Sequence, residues 1–369
     1  MNLDRMSRRS LLGTGALLTI EKAIGPTSAA QPVDAEEATV LQEGLIVPWK
    51  LQVSDETLAD LRERLKLTRF PNQLADVPWV YGTDLAFMRR LIGYWIDGYA
   101  WRNVEAQLNR LPHYMANVAG QRLHFIHQRG KGPSPVPLLI THGWPGLFLE
   151  MVELVGPLTD PERHGGNAED AFDVVIPSIP GYAFSQHPGT VGLTPKAVAD
   201  RFTRLMDRLG YAKFAVQGGD WDATISALVA LQNPTRVTGL HMYTMGIRPF
   251  LGDGAKPITP EEKAYADAVA KWRHDGSAYQ EIQSTRPQTL AYGLSDSPAG
   301  LAAWLVEKFR AWSDCHGEVE RVFSKDQLLT NIMVFWVSGC IGSSMQLYAE
   351  QRRDPWLMQT NDFIAVPTA

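Results

Sequence analysis

One aspartate, Asp220, lies where a predicted strand gives way to a predicted helix. Residues 214–230 read FAVQGGDWDATISALVA, apolar and strand-like at first and helix-like after Asp220. Small residues around such a turn let a nucleophile project above the carboxyl ends of the strands, because a larger side chain would clash in the strained bend. Serine is the usual nucleophile, in a G-x-S-x-G pentapeptide that this chain lacks. An aspartate in this place predicts a carboxylate nucleophile that attacks an sp³ carbon and forms an alkyl ester.

A second interpretation of Asp220 is purely structural. Aspartate is a common N-cap, because its carboxylate accepts hydrogen bonds from the first free backbone N–H groups of a helix. The strand–helix junction alone is compatible with either role.

Two further stretches favour the catalytic interpretation. THGWPGLFLE, residues 141–150, follows an apolar strand, and its His-Gly-x-Pro turn would present backbone N–H groups near Trp144 to the space above the sheet. Such groups can stabilise developing negative charge. A Pro/Gly-rich stretch, IPSIPGYAFS, follows at residues 176–185. Neither stretch alone indicates catalysis. The two stretches followed by the Asp220 turn, in this order, form a specific pattern.

The elements that would position these residues alternate between strand and helix. Strand patterns occur in RLHFIHQ, VPLLITHG, FDVVIPSIPG and FAVQGG, each followed by helix-like sequence, and again in VTGLHMYT. This alternation predicts an α/β fold with a mostly parallel sheet over residues 121–248.

Helical sequence flanks this predicted core on both sides. Residues 45–110 are mainly helical, and Ser54 or Asp55 is the predicted N-cap of the first amphipathic helix. Residues 249–353 are also largely helical and predict a lid inserted between two core strands. Residues 354–369 would return to the core.

Nearly the whole chain after Leu45 resembles the microsomal-type epoxide hydrolases. The matching stretches are VPWKLQVSDETLADLRERLKLTRFP, YWIDGYAWRNVEAQLNRLPHY, THGWPG, IPSIPGYAFS, GGDW, STRPQTLAYGLSDSPAGLAAWLVEKFRAWSD and LLTNIMVFWVSGCIGSSMQLY. The resemblance implies an α/β-hydrolase fold with a helical lid and the family's N-terminal segment over residues 45–120. It also implies a small apolar epoxide as substrate and a vicinal diol as product, with no cofactor.

The same resemblance assigns roles to individual residues. Asp220 would be the nucleophile, and the backbone N–H groups near Trp144 and Trp221 would form the oxyanion hole. Tyr279 and Tyr348 would activate the epoxide oxygen, because an epoxide opens only when its oxygen is hydrogen-bonded or protonated, and a neutral phenol can donate. Tyr292 is a rival that the match rejects, since the family tyrosine precedes that stretch.

The sequence departs from the family pattern at two places. Asp222 stands where the family has glycine, so a second negative charge beside Asp220 could strain the turn or raise the proton affinity of the nucleophile. The chain also ends at Ala369, ahead of the carboxylate and histidine that the family places later. The histidines without a matching context are His113, His124, His127, His164, His187, His241, His274 and His316. We therefore expect a C-terminally truncated chain that lacks its last core strands and has impaired hydrolysis. The alternative is a non-catalytic remnant or ligand-binding pseudoenzyme.

Composition excludes several other classes of function. With 35 basic and 40 acidic residues the net charge is −5, and no basic run indicates nucleic-acid binding. Cys315 and Cys340 lack the spacing of a zinc site, and they are expected to be buried apolar residues. His124 and His127 would lie on opposite faces of a strand, which argues against a metal pair. No apolar run reaches 18 residues, so no ordinary membrane span is expected.

The first 35 residues have the outline of an export leader. Arg8 and Arg9 precede an apolar run, and small residues follow it, as in a twin-arginine signal. We predict export to the periplasm by this route, with a cytoplasmic location as the alternative.

Overall fold

The computed structural model describes residues 42–244, 257–359 and 362–369, apart from the side chain of Asp222. The predicted leader, residues 1–35, lies outside these ranges and stays a prediction. The effect of the Asp222 charge on the turn and on Asp220 also stays a prediction, because the Asp222 side chain is not described.

A seven-stranded mixed sheet forms the centre of the molecule, with strand order β1-β2-β3-β5-β4-β6-β7. Its strands are β1 (Ile46–Trp49), β2 (His113–Val118), β3 (Gln121–Gln128), β4 (Val136–Ile140), β5 (Phe172–Pro177), β6 (Phe214–Gly218) and β7 (Val237–Met242). Strands β5, β4, β6 and β7 run parallel, whereas β1, β2 and β3 are antiparallel to their neighbours. The carboxyl ends of β4 and β6 meet at one edge, which is where the THGWPG and GGDW turns begin.

All five strands expected from the alternation are present, but the sheet has two more. Strand β1 lies within the segment that the sequence predicts to be mainly helical, and β2 lies just after it, where no strand is predicted. Strand β1 is only four residues long, with the sequence IVPW, so a repeat of two is hard to detect in it. Strand β2 pairs with β3 through the two-residue turn Ala119-Gly120, whose φ angles are 53° and 72°. That left-handed turn is typical of a tight hairpin, yet an alanine at its first position is a weak sequence signal.

Three helices form the N-terminal segment. They are α1 (Asp55–Lys66), α2 (Leu85–Asp97) and α3 (Trp101–Leu108). Ser54 is the N-cap of α1, since its hydroxyl accepts a hydrogen bond from the Thr57 backbone N–H. Leu61 and Leu65 bury the apolar face of this helix, as their spacing predicts.

The remaining helices divide into sheet-packed helices and the lid. Helices α4 (Val152–Thr159), α5 (Pro195–Arg208) and α6 (Trp221–Gln232) connect the parallel strands. The lid helices are α7 (Pro260–Gly276), α8 (Ala278–Thr285), α9 (Pro287–Asp296), α10 (Pro298–Ala311), α11 (Lys325–Ser338) and α12 (Ile341–Arg353). Cys315 and Cys340 are buried free thiols, as expected.

The chain returns to the sheet after the lid. Backbone N–H groups of Leu240 and Met242 donate to the carbonyl oxygens of Pro367 and Ala369, at 2.9 and 2.8 Å. Residues 366–369 therefore lie beside β7, in parallel.

No single helix among the described ranges is both long and apolar enough to cross a membrane; α11 and α12 pass only as a pair bent by 86°.

Candidate active site

Asp220 occupies the sharp turn between β6 and α6. Its φ of 57° and ψ of −123° are unusual for a residue with a side chain, and such strain is common at functional turns. Asp220 stands at the N-cap position, but its side chain makes no capping hydrogen bond. The side chain therefore does not make the usual N-cap bond to the second or third residue of α6. Gly219 is required by close packing, since a Cβ there would lie 2.2 Å from the Tyr243 ring.

The loop after β4 brings backbone N–H groups to the Asp220 carboxylate. The Trp144 N–H donates to Asp220 Oδ1 at 3.1 Å, and the Trp221 N–H also hydrogen-bonds this carboxylate. Gly143 permits the approach, because a Cβ on it would lie 2.6 Å from Asp220 Cβ. Two donors thus converge on one carboxylate.

Two side chains hold this loop in place. His142 accepts a hydrogen bond from the Ile179 N–H at Nε2 (3.1 Å), and its Nδ1 lies 3.2 Å from the Gly143 carbonyl oxygen. Asn331, in α11, donates from Nδ2 to the carbonyl oxygens of Pro145 and Gly146, each at 2.9 Å. The lid therefore positions the loop that faces the nucleophile.

Desolvation by the surrounding protein raises the pKa of Asp220, and hydrogen bonds from the Trp144 and Trp221 backbones oppose that rise. The residue remains accessible to solvent, and solvent moderates the effect. A carboxylate that is reachable yet poorly hydrated is a better nucleophile than one in free solution.

Two lid residues, Tyr279 in α8 and Tyr348 in α12, lie near this turn. Their ring centroids lie 6.0 Å apart. The Tyr279 ring stacks on Trp144 at 5.4 Å, and the Tyr348 ring meets Trp221 edge-on at 4.6 Å. All five residues assigned from the sequence thus come together, although they are spread over more than 200 positions from Trp144 to Tyr348.

The two phenols are buried, which favours their neutral, protonated form. Burial raises the pKa of Tyr279 and of Tyr348 well above the ordinary value, and the negative charge of Asp220 raises both further. This coupling places both phenols within the field of the carboxylate. Tyr292, the rejected rival, is 74% exposed.

Glu150 is a neighbour of the nucleophile that the sequence did not reveal. A Cβ on Gly146 would lie 1.4 Å from Glu150 Oε1, so the carboxyl packs against the loop that carries Trp144. Desolvation by the surrounding protein, and to a smaller extent the charge of Asp220, raises the pKa of Glu150 to about 7. The residue keeps access to solvent, which moderates this rise. A glutamate at the start of a helix is ordinary in sequence, and only the fold brings it near Asp220.

Three histidines of the described ranges form hydrogen bonds away from the Asp220 turn. His113 Nδ1 and His124 Nε2 are hydrogen-bonded to each other at 2.9 Å, and His124 Nδ1 contacts Ser178 Oγ at 2.8 Å. His127 pairs with Tyr211 at 2.9 Å. None of the hydrogen bonds within the part of the chain that the structure describes joins a histidine to Asp220. These ranges also hold no group of three or more His, Cys, Asp or Glu residues placed to bind a metal ion.

An apolar cavity of about 510 Å³ lies apart from this site, against the sheet. Its lining includes Leu154, Phe172, Leu240 and Pro367, and none of the five assigned site residues contributes to it. The space around Asp220 is instead walled by the aromatic rings described above.

Comparison with known proteins supports the same assignment of fold and family. Residues 46–151 match the family "Epoxide hydrolase N terminus", and residues 136–297 match the family "alpha/beta hydrolase fold". A candidate epoxide hydrolase from Stigmatella aurantiaca is 41% identical over 305 residues, which are 83% of this chain and 69% of that protein. "Epoxide hydrolase 1" of Sus scrofa is 36% identical over 356 residues, or 88% and 75% of the two chains.

Solved structures agree. The crystal structure of juvenile hormone epoxide hydrolase from the silkworm Bombyx mori superposes with a TM-score of 0.74 at 32% identity, over 89% of this chain and 80% of that chain. An α/β-hydrolase fold, a matching N-terminal segment and relatives of this identity place the protein in one group: the chain belongs to the epoxide hydrolase family.

Proposed function

We propose that this protein opens epoxides by nucleophilic attack of Asp220, with Tyr279 and Tyr348 as proton donors to the epoxide oxygen. One observation carries the proposal. A strained, solvent-reachable aspartate faces two buried phenols whose pKa values it raises. A carboxylate with two neutral phenol donors in its neighbourhood matches the polarity of a strained C–O bond.

The geometry suggests which oxygen attacks. In the proposed step Oδ1 of Asp220 keeps the Trp144 N–H, and Oδ2 attacks a ring carbon. The ring C–O bond breaks as the new ester bond forms, and its electron pair moves to the epoxide oxygen. That oxygen takes a proton from Tyr279 or Tyr348. The product of this step is a hydroxyalkyl ester on Asp220.

Ester cleavage needs a water molecule and a base to accept its proton. Water adds to the ester carbonyl carbon, and the negative charge that develops on Oδ1 is stabilised by the Trp144 and Trp221 N–H groups. Collapse expels an alkoxide, which takes the proton held by the base to give the vicinal diol. The remaining carboxyl proton returns to the tyrosine, and the carboxylate is restored. Ring opening needs only Asp220 and the tyrosines, whereas this second step also needs the base. The alternative is that the chain performs ring opening alone or binds epoxides without turnover.

The walls of the site favour an apolar, aromatic-sized substituent on the epoxide. Trp144, Trp221 and Trp312 surround the phenols, with Trp312 5.0 Å from Tyr279 and 6.2 Å from Trp144 between ring centroids. Flat aromatic surfaces of this kind bind aryl or alkyl groups through buried area.

Styrene oxide is a suitable probe for these alternatives. The chain is incubated with excess styrene oxide, the ester is measured by intact-protein mass, and the diol by chromatography. Sustained diol formation supports complete hydrolysis. One equivalent of ester without diol supports ring opening alone. A folded sample that yields neither product would contradict the proposal and favour a binding protein.

A further inference from the structure

Lys308, in lid helix α10, is a lysine almost entirely removed from solvent. The residue is 7% exposed, which is unusual for an amine unless it is compensated. Its Nζ lies over three aromatic rings, 5.0 Å from the centroid of Tyr279, 5.4 Å from Trp304 and 5.9 Å from Trp312. Glu307 is its ion-pair partner. An ammonium group in a cage of aromatic faces is held by cation–π attraction.

The cage includes the phenol that donates to the epoxide oxygen. The Tyr279 ring stacks on Trp144, and the Lys308 ammonium lies over the same ring. A cation near a phenol ring draws electron density from it and favours release of the hydroxyl proton. Burial and the charge of Asp220 act in the opposite direction on the pKa of Tyr279.

We propose that Lys308 is a positioning residue for ring opening, which fixes the Tyr279 ring and strengthens its hydroxyl as a donor to the epoxide oxygen. This inference rests on the proposed function, because it needs Tyr279 to act on that oxygen. In this role Lys308 acts through the Tyr279 ring, over which its ammonium lies at 5.0 Å from the centroid.

Single-turnover formation of the Asp220 ester with styrene oxide tests this role. Lys308→Met keeps the length of the side chain and removes the charge, and we expect the maximal rate to fall roughly tenfold, as the loss of a buried cation–π contact implies. The concentration of styrene oxide at half-maximal rate should change little. Lys308→Arg retains the charge and should keep most of the rate.

A matched control and a double variant separate the electrostatic role from a structural one. Lys325, on α11, also lies over a tyrosine ring, 5.5 Å from the centroid of Tyr94, and pairs with Glu320. Lys325→Met should leave the rate unchanged. In a Tyr279→Phe background, Lys308→Met should have no further effect, because the hydroxyl through which it acts is gone.

The outcomes distinguish the inference from the proposed function. If the unmodified chain forms the Asp220 ester and Lys308→Met forms it at the same rate, that result would overturn the role of Lys308 and leave the proposed function intact. So would an equal slowing by Lys308→Met in both Tyr279 backgrounds, since that indicates a packing defect. If Lys308→Met does not fold, Lys308→Gln and Lys308→Arg decide, because only the arginine variant should keep the rate.

Discussion

Asn331 donates a hydrogen bond of 2.9 Å to the carbonyl oxygen of Pro145, which ties the lid to the loop that faces the nucleophile. A second bond from the same nitrogen reaches the carbonyl oxygen of Gly146. The lid thus covers the site and also fixes the backbone donor of Trp144 relative to Asp220.

Replacing Asn331 by leucine tests this coupling. Two buried carbonyl groups would lose their partner, which costs about 1–3 kcal/mol for each unsatisfied group. We expect lower stability by urea unfolding and roughly tenfold slower formation of the Asp220 ester, because the Trp144 N–H is no longer held. Asn233→Ala, at the far end of α6, removes a hydrogen bond to Val229 and should leave the ester rate unchanged. Equal ester rates for the leucine variant and the unmodified chain would contradict this coupling.

The two lid tyrosines are expected to act together. Changing Tyr279 and Tyr348 to phenylalanine removes both donors to the developing alkoxide but keeps both rings, and it should slow ring opening by roughly 10²–10³-fold or more. The measurement is the single-turnover rate of ester formation. Tyr292→Phe, at an exposed position, is the control and should have no effect. Retention of most of the rate in the double variant would mean that other groups activate the oxygen.

The positions of Asp220, Trp144 and the tyrosines could be predicted from the sequence, because each belongs to a local pattern or a long matched stretch. The strand–helix junction fixes where Asp220 must stand, and parallel strands bring their carboxyl ends together. Lys308, Asn331 and Glu150 could not be assigned in this way. Asn331 lies 186 positions from Pro145, and the Tyr279 ring under Lys308 and the Asp220 charge near Glu150 come from other elements of the fold. Periodicity describes which face of a helix is buried, but not which group meets it there.

Gly143 should tolerate no side chain. A Cβ would lie 2.8 Å from Asp220 Oδ1 and closer still to its Cβ, so Gly143→Ala must displace either the loop or the nucleophile. We expect at least a tenfold loss in the rate of ester formation. Gly93→Ala, in α2, has no atom within 4 Å of the added methyl group and should be neutral or slightly stabilising by thermal unfolding. An active Gly143→Ala variant would show that the tight approach is not needed.

Acid should destabilise the fold through buried neutral histidines. Burial lowers the pKa of His142 to about 4, and the pKa values of His113 and His124 are also lowered by burial. The unfolded chain binds protons at these groups below about pH 6.5, whereas the folded chain resists them. The contribution of these histidines to stability is therefore fully present above about pH 6.5 and falls as the pH drops toward 4. His142 alone should account for about 2 kcal/mol between pH 7.5 and pH 5.

Urea unfolding at both pH values measures this loss. His142→Asn should reduce the difference between pH 7.5 and pH 5 by about the same 2 kcal/mol, whatever its effect on absolute stability. The same pH 7.5 to pH 5 difference in His142→Asn and in the unmodified chain would contradict the assignment of a neutral buried His142.

The identity of the nucleophile is the central claim, and peptide mapping after incubation with styrene oxide tests it most directly. The mass of one styrene oxide should appear on the peptide that contains Asp220. Asp220→Asn should abolish that adduct, whereas Asp200→Asn, at a carboxylate paired with Arg204 on α5, should retain it. An adduct on another peptide, or an undiminished adduct in the Asp220→Asn variant, would contradict the account.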